Sequence, residues 1–306
     1  MRCELANRIE AHLHYLQLGT PHPYQLAQFA NDVLQMTVTQ SGQDWICRAP
    51  GRLLIYSPGL QRSLLTAGYA VSKSAELAGL KARLVQMGTP LENAPTGVFE
   101  DDAVTFRDPD GNRLSFGRPI PLPPVSEGLP ARLQQVVLAS TDAERMTAFY
   151  TDVVGLRVSD RVLDEQHEVR TVFMRTDRKH HSLAVLQASE SGLDHYGYET
   201  TSWNLIRDWS DHFSEQGVMI NCGPGRHGPG NNLFIFIHDP DQNWLQISAE
   251  LESVGERRPV GVWRHTEHSL NQWAGRHRAT VRASSHPTPL SARQVVSQIA
   301  SRVRTG

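Results

Sequence analysis

The chain has 306 residues, of which 39% are hydrophobic and 20% charged, enough for about two domains with a sizeable core. Its formal net charge of −2 gives no electrostatic reason to expect nucleic acid or an anionic membrane as partner. The 3 cysteines lie far apart without CxxC spacing, which argues against a disulfide framework and a thiolate metal site. No apolar run approaches the roughly 18 residues of a membrane span, and no signal core is present, so we expect a cytoplasmic protein.

An internal repeat organises the chain. The segment LHYLQLGTPHPYQLAQFANDVLQM at 13–36 is answered by LQQVVLASTDAERMTAFYTDVVGL at 133–156. Each copy predicts a strand, a polar turn and an amphipathic helix, with Thr141 or Asp142 as the N-cap of the second helix. Each copy also ends in a DPD turn between two strands, because Pro fixes φ and a following Gly or Asn tolerates positive φ.

The segments between these ends predict further strands and one more helix in each copy. The predicted strands are Arg52–Ser57, Arg170–Arg175, Ser182–Gln187, Asp194–Thr200 and Leu233–Ile237, and the predicted helices are Lys73–Gln86 and Trp203–Gln216. The resulting domain prediction is a βαβββ module at 8–118, a Pro-rich linker at 119–130, a second βαβββ module at 131–252, and a tail with helical segments at 253–306.

The tail prediction has two parts. The segment 261–278 contains tryptophans and a leucine, which favour packing of part of the tail on the body as a helix, and 292–303 favours a second short helix. The excess of arginine in this region is typical of a solvated face rather than a binding patch.

Three motifs in the second copy carry a family resemblance. In order, they are HHSLAV at 180–185, LDHYGYE at 193–199 and GPGNN at 228–232, followed by a DPDxNW turn. With the repeat, they resemble the vicinal oxygen chelate superfamily, which has the glyoxalase–bleomycin resistance fold. Within it they resemble the two-domain type I extradiol ring-cleavage dioxygenases, the catechol 2,3-dioxygenase-like group. The resemblance implies an α+β fold of two tandem βαβββ modules forming an open mixed β-sheet cup flanked by helices.

The same resemblance implies different roles for the two modules, a substrate class and an oligomeric assembly. The first module is expected to be structural, and the second is expected to hold the active site. The implied substrate is a small aromatic, catechol-like or quinone-like, and the implied assembly is a homo-oligomer. In such enzymes two His and one Glu hold Fe(II) and leave open positions for substrate and oxygen.

Carried over residue by residue, the family's metal-ligand positions hold Gln135, His195 and Gln246. The proton-managing histidine corresponds to His181 and a substrate-contacting loop histidine to His227, so the predicted catalytic set is His181, His195 and His227. The predicted substrate contacts are Phe173, Asn231 and Phe236. Phe236 stands where the family has a tyrosine that acts as a general acid. In the pair His180 and His181, strand alternation predicts that one ring faces solvent.

The two glutamines leave three functions open. A neutral amide is a weaker oxygen ligand than a carboxylate, and replacing an imidazole removes the better ligand. The cofactor is therefore either Fe(II) or another divalent metal in an altered site, as the resemblance implies, or none. The chain could be an extradiol dioxygenase-like enzyme with a remodelled metal site, a metal-free enzyme that transfers protons through its histidines, or a non-catalytic protein that binds an aromatic ligand or an active homologue. His195 also suits a packed core histidine, and His227 an ordinary Gly-rich turn.

Overall fold

The computed structural model describes residues 8–94, 97–125 and 127–273. The helices lie outside two β-sheets. Pro23 opens the first helix, and the Asp142 side chain caps a later one by accepting from the backbone N–H of Arg145. Their bounds are α1 Pro23–Asp32, α2 Ser74–Gln86, α3 Ala143–Ala148 with a π-helical continuation Phe149–Val154, α4 Trp203–Glu215 and α5 Glu267–Leu270.

The first sheet has eight strands in the order β2-β3-β4-β1-β5-β8-β7-β6. Its central strand β1 runs parallel to β4 and antiparallel to β5, and β5 runs parallel to β8. The strands are β1 Ala11–Thr20, β2 Thr37–Ser41, β3 Asp44–Ala49, β4 Arg52–Pro58, β5 Ser63–Val71, β6 Leu91–Glu92, β7 Val104–Arg107 and β8 Arg113–Gly117.

The second sheet repeats this arrangement with nine strands in the order β14-β15-β16-β13-β9-β12-β11-β10-β17. Here β9 runs parallel to β12 and antiparallel to β13, and β13 runs parallel to β16. The strands are β9 Arg132–Ser140, β10 Arg157–Leu163, β11 Val169–Arg175, β12 Leu183–Gln187, β13 Gly192–Thr200, β14 Cys222–Arg226, β15 Leu233–His238, β16 Trp244–Ala249 and β17 Gly261–Arg264.

The matching pairings confirm the predicted α+β fold of two tandem strand–helix–strand modules. Each sheet buries one face against helices, where leucines, valines and aromatic rings form a continuous core.

The DPD turns are stabilised by hydrogen bonds to their own first aspartate. Both oxygens of Asp239 accept hydrogen bonds, from the backbone N–H groups of Asp241 and Asn243 and from the Asn243 side chain. Asp108 makes the same contacts in the first copy.

The inner face of the first sheet is filled by aromatic rings. Tyr15 lies across Gly68 on the neighbouring strand, where a Cβ would fall on the ring itself. Phe99 packs against Tyr15 at 5.4 Å between centroids and covers Gly117. Because these rings occupy the space that a ligand would need, the candidate site is to be sought in the second sheet.

In the described part of the tail, a short helix follows a strand that was not predicted. Residues 261–264 form strand β17, which runs parallel to β10 at the sheet edge, and only the four residues of α5 are helical in the described part of the tail. The pairing of Asp160 with Gly261 explains the strand, since a Cβ at Gly261 would overlap the Asp160 carboxylate. The predicted helix at 292–303 lies outside the described residues. The domain boundaries at 118, 130 and 252 stay predictions.

None of the helices within the described ranges has the length and hydropathy required to span a bilayer. The cellular location and the oligomeric state stay predictions from the sequence.

Candidate active site

The floor of the site is a glycine between two glutamines. Strand β13 lies between β9 and β16, and its Gly197 pairs with Gln135 on one side and Gln246 on the other. A Cβ at Gly197 would stand 3.1 Å from Nε2 of Gln135 and 3.3 Å from Cβ of Gln246. The missing side chain leaves the space in which the two buried amides meet.

The two amides are hydrogen-bonded to each other and to three histidines. Nε2 of Gln135 donates to Oε1 of Gln246 in a short contact and lies 3.3 Å from Nε2 of His195. Oε1 of Gln135 has a short contact with Nε2 of His181. Nε2 of Gln246 lies 3.2 Å from Nε2 of His227. The structure therefore brings together all five residues that were predicted as metal-binding or catalytic.

His181 is the buried histidine of the cluster. Its Nε2 faces the carbonyl oxygen of Gln135, which can only accept, so this nitrogen carries the proton. Burial lowers the pKa of His181 well below its ordinary value, and the nearby rings of His180, His227 and His195 add to the effect. His181 is consequently neutral at physiological pH and presents an N–H to the site.

His195 is partly exposed, with 12% of its side chain accessible. Its Nδ1 lies 2.6 Å from Oδ1 of Asp194, which holds the ring with Nε2 directed at Gln135. In this tautomer the Nε2 lone pair accepts the Gln135 amide N–H. A carboxylate behind one nitrogen and an accepting lone pair at the other form the arrangement that catalysis uses for a general base.

The C-terminal segment fixes His227. Nδ1 of His227 lies 2.7 Å from the carbonyl oxygen of Leu270, and Nε2 of Gln272 donates to the carbonyl oxygen of His227. The ring stacks on Phe234 at 3.9 Å between centroids. Since a carbonyl oxygen only accepts, His227 donates from Nδ1 and a neutral ring accepts from Gln246 at Nε2.

Two of the three predicted substrate contacts lie beside the cluster, and the third lies at its rim. Phe173 contacts the ring of His181 at 4.9 Å, and Phe236 contacts the ring of His195 at 5.3 Å, so both lie beside the cluster. Asn231 is exposed in the turn before β15, with φ of 52°, and its carbonyl oxygen accepts from Arg226. A substrate role for Asn231 would require a ligand that extends to this rim.

The alternation prediction for the histidine pair is wrong. His180 and His181 are 0% and 3% exposed, because they lie in the turn between β11 and β12 rather than within a strand. Nδ1 of His180 lies 2.9 Å from Nδ1 of His181, and its Nε2 lies 3.1 Å from Oδ2 of Asp160. Neither Asp160 nor Asp194 was predicted. Asp194 directly precedes the motif histidine and could have been found, whereas Asp160 stands 20 residues before its partner.

The donor set does not fit a resident Fe(II). Two neutral amides and one imidazole supply no negative charge, and both amide oxygens accept hydrogen bonds from within the cluster. Across the described ranges, no group of three or more His, Cys, Asp or Glu side chains is arranged to hold a metal.

The first module has no counterpart to this cluster among its described residues. Gly68 and Ser115 pair as Gly197 and Gln246 do, and Tyr15 takes the position of Gln135. The position equivalent to His195 is Thr66, because the next residue, Ala67, pairs with Leu114 as Tyr196 pairs with Leu245. Two surface clefts, of about 340 and 470 Å³, lie at His12–Arg48–Arg132 and at Asp101–Arg118, away from the cluster.

Comparison with known proteins shows what the second half of the chain is similar to. The model of the Glyoxalase/Bleomycin resistance protein/Dioxygenase superfamily matches residues 132–247. Metapyrocatechase 2 of Cupriavidus necator is 27% identical over 223 residues, covering 65% of this chain and 68% of that protein. An iron-dependent extradiol dioxygenase of Rhodococcus jostii (strain RHA1) is 25% identical over 246 residues, covering 71% and 82%.

Among solved structures, the homoprotocatechuate 2,3-dioxygenase of Arthrobacter globiformis superposes with a TM-score of 0.76. It is 20% identical and covers 87% of this chain and 88% of that one, a likeness that concerns the fold. Residues 132–247 therefore form a domain of the glyoxalase, or vicinal oxygen chelate, type, and the chain is similar in sequence to the extradiol dioxygenases.

Proposed function

We propose that this chain binds a catechol-like aromatic compound in the second-sheet cup and acts on it by proton transfer, without resident iron. The relatives are dioxygenases, and their names include metapyrocatechase and an iron-dependent enzyme. The proposal keeps a related ligand class but departs from their metal chemistry, because glutamines stand at two of the three ligand positions.

The observation that carries the proposal is the pair of histidines with opposite roles. His195, backed by Asp194, offers a lone pair, and His181 offers an N–H. Both nitrogens face the same amide, Gln135, from two sides. Acid–base catalysis requires one group that accepts a proton and another that donates one. The surroundings of these two histidines assign them these two roles.

The ligand would enter by replacing the weakest contact of the cluster. Gln135 Nε2 donates one N–H to Gln246 and directs the other at Nε2 of His195, 3.3 Å away, which is the longest contact of the cluster. A phenolic oxygen inserted between Gln135 and His195 could accept the amide N–H while its own proton faces the imidazole. The partly exposed His195 edge gives access from solvent, with Phe236 packed beside the imidazole.

The chemistry available is interconversion of tautomers. In the keto-to-phenol direction His195 takes a proton from a ring carbon of the ligand, and Asp194 stabilises the imidazolium that forms. His181 donates from Nε2 to the carbonyl oxygen on which negative charge develops. In the reverse direction the ring carbon regains a proton from His195, so deuterium from the solvent enters the ring. One proton is taken and one is given, so the step is balanced without an oxidant, and its reverse restores both histidines.

The test is hydrogen exchange on a simple probe. Catechol is incubated in D₂O with chelator-treated protein, and loss of its ring-proton signals is followed by NMR. We expect exchange that is insensitive to the chelator. Replacing the base by His195→Gln should slow exchange by about 100-fold or more, within the range that general acid–base groups contribute. His22→Gln, a change at a histidine outside the cluster, is the matched control and should leave the rate unchanged.

A second arm tests the iron alternative. The native protein and a Gln135→His, Gln246→Glu double variant are loaded anaerobically with Fe(II) and then exposed to oxygen and catechol. Ring cleavage by the native protein would show that the amides do support a working metal site and would overturn the proposal. Catechol binding without exchange would assign the chain to the non-catalytic alternative.

A further inference from the structure

A cleft of about 340 Å³ lies where the first module, the linker and the first strand of the second module meet. Its walls come from β1, from the β3–β4 hairpin, from residues 122–125 of the linker and from the start of β9. The ring of His14 forms part of the wall and packs on Phe99, one of the rings that fill the first module, at 5.6 Å between centroids. Pockets for small ligands measure roughly 300–1,000 Å³ and favour domain boundaries, so this cleft suits a compound of about one ring.

The walls of the cleft are held by contacts between the modules and the linker. The backbone N–H of Leu133 donates to the carbonyl oxygen of Gly51 at 2.8 Å. Gly51 has φ of +70°, and a Cβ there would stand 3.0 Å from Cβ of Arg132, so the turn and β9 approach closely. On the linker side, Nη1 of Arg48 donates to the carbonyl oxygen of Pro123 at 3.1 Å. The cleft is therefore a feature of the folded chain that a ligand would not have to open.

The charged side chains that line the cleft are all arginines, namely Arg48, Arg52 and Arg132. Arg132 forms an ion pair with Glu199, but Lys179 bonds the other oxygen of the same carboxylate at 2.7 Å, so two cations share one anion. Arg48 and Arg52 donate to backbone carbonyl oxygens, and within the described ranges neither has a carboxylate partner. The cleft thus carries a surplus of positive charge in a chain whose formal net charge is −2.

Two histidines at the cleft add hydrogen-bonding groups without adding charge. His12 and His14 stand on β1 with their ring centroids 6.0 Å apart. Burial lowers the pKa of His14 to about 4, and the nearby His12 adds to the effect. Burial and the Arg132 charge lower the pKa of His12, while Asp177 acts in the opposite direction. Both rings are consequently neutral at physiological pH, and the charge of the cleft comes from its arginines.

The rest of the wall is apolar. Leu53 on β4 is buried at the cleft, and Leu122 and Val125 lie on its linker side. A guanidinium binds a carboxylate through two parallel N–H···O bonds, and apolar side chains contact the body of an organic molecule. Inorganic phosphate would satisfy the arginines but would leave the apolar wall without a contact.

We propose that this cleft binds a small organic carboxylate whose apolar body is about one ring in size. The carboxylate would accept from the guanidinium of Arg48 and from Nη1 of Arg132, because Nε and Nη2 of Arg132 already donate to Glu199. The body would contact Leu53 and Leu122. The site is separate from the histidine cluster, so it goes beyond the proposed function and does not depend on it.

The experiment is an NMR titration of the full-length, ¹⁵N-labelled protein with benzoate as the probe. The backbone signals of Gly51 and Leu133 should shift and saturate along one binding curve. Arg48→Gln should weaken benzoate binding by about 10-fold or more, since hydrogen bonds to charged groups contribute this much. Arg207→Gln, which removes an exposed arginine on α4, is the matched control and should leave the affinity unchanged.

A charge on the linker provides a second test that does not disturb the core. Leu122 is 45% exposed, so we expect its variants to fold. Leu122→Glu should weaken benzoate binding by about 5-fold more than Leu122→Gln, which has the same length without the charge, because a like charge a few ångströms away repels the carboxylate. The difference between the two variants should shrink in high salt.

Two further probes test the ligand class. Benzamide keeps the ring but has no charge, and inorganic phosphate keeps the charge but has no apolar body. Both should bind at least 10-fold more weakly than benzoate at the cleft. Phosphate that binds as tightly as benzoate would refute the assigned class, and so would benzamide of equal affinity.

The remaining outcomes decide the site itself. No saturable shift at Gly51 and Leu133, or a curve that Arg48→Gln and Leu122→Glu leave unchanged, would overturn the proposal. Shifts confined to Gly197 and Phe236 would place benzoate in the second-sheet cup and would overturn it as well. If Arg48→Gln does not fold, the comparison of the two Leu122 variants decides alone. None of these measurements requires turnover, so the catechol exchange test can fail without affecting this one.

Discussion

Gln246→Glu tests the direction of the hydrogen bonds in the cluster. Gln246 is 1% exposed, and its Nε2 lies 3.2 Å from Nε2 of His227. A carboxylate of the same shape has no N–H to offer. Because Nδ1 of His227 already faces the Leu270 carbonyl oxygen at 2.7 Å, the variant can satisfy this contact only if the introduced carboxylate and His227 together gain a proton.

The magnitude follows from linkage. In the folded variant the introduced carboxylate and His227 bind this proton more tightly than a free His does, with an ordinary pKa of about 6.5. A raised folded-state pKa gives stability that is complete below pH of about 6.5 and is lost as pH rises through the raised value. Between those two values the unfolding free energy should fall by about 1.4 kcal/mol per pH unit relative to the native protein.

The assay is urea denaturation between pH 6 and pH 9. The difference in unfolding free energy between Gln246→Glu and the native protein should be smallest at pH 6 and should grow with pH. Gln40→Glu, at an exposed site, is the control and should give a difference that does not vary. Parallel curves for Gln246→Glu would refute the assigned direction, since they would mean that the Gln246 oxygen rather than its N–H faces His227.

Three further changes test other parts of the structure. Burial raises the pKa of Asp239 to about 7, so the folded protein holds the carboxyl proton more tightly than the unfolded chain does. The unfolding free energy should therefore decline as the pH rises from about 4 to about 7, and Asp239→Asn should flatten that decline in urea titrations. Gly197→Ala should displace Gln135 and cost about 1–3 kcal/mol in thermal unfolding, whereas an unchanged melting temperature would mean that the amides move freely. Tyr150→Phe removes the 2.7 Å hydrogen bond to buried Asp108 and should cost about 1–3 kcal/mol by denaturant titration.

The fold could be predicted because its sequence pattern occurs twice in the chain. The repeated strand–helix segments and the DPD turns indicated the central elements of both modules, and the helix predicted at Trp203–Gln216 is observed as Trp203–Glu215. The edge strands were harder. Strand β17 has only four residues, and Val262 within it is exposed, so its sequence did not indicate a strand. The reason for its pairing is Asp160 on β10, which the sequence does not connect with it.

The site was predictable in its members but not in its connections. Motif positions brought His181, His195 and His227 to one place, and the fold joins them through Gln135 and Gln246. The sequence could not show that the glutamines bond to each other, because this depends on the space above Gly197. Nor could it show that His180 is buried, since strand alternation fails in a turn and its partner Asp160 comes from another strand.

The ring of Tyr15 over Gly68 has a consequence for redesign and for ancestry. The two modules share one strand arrangement, yet the rings of Tyr15 and Phe99 fill the inner face of the first sheet, while the amides of Gln135 and Gln246 leave the second one polar. The first module is thus an internal comparison, in which the strand pairing is retained and packed rings stand where the second module has polar side chains. Exchanging the inner-face side chains between the two modules would show, within one protein, how far ligand binding depends on these side chains rather than on the shared backbone.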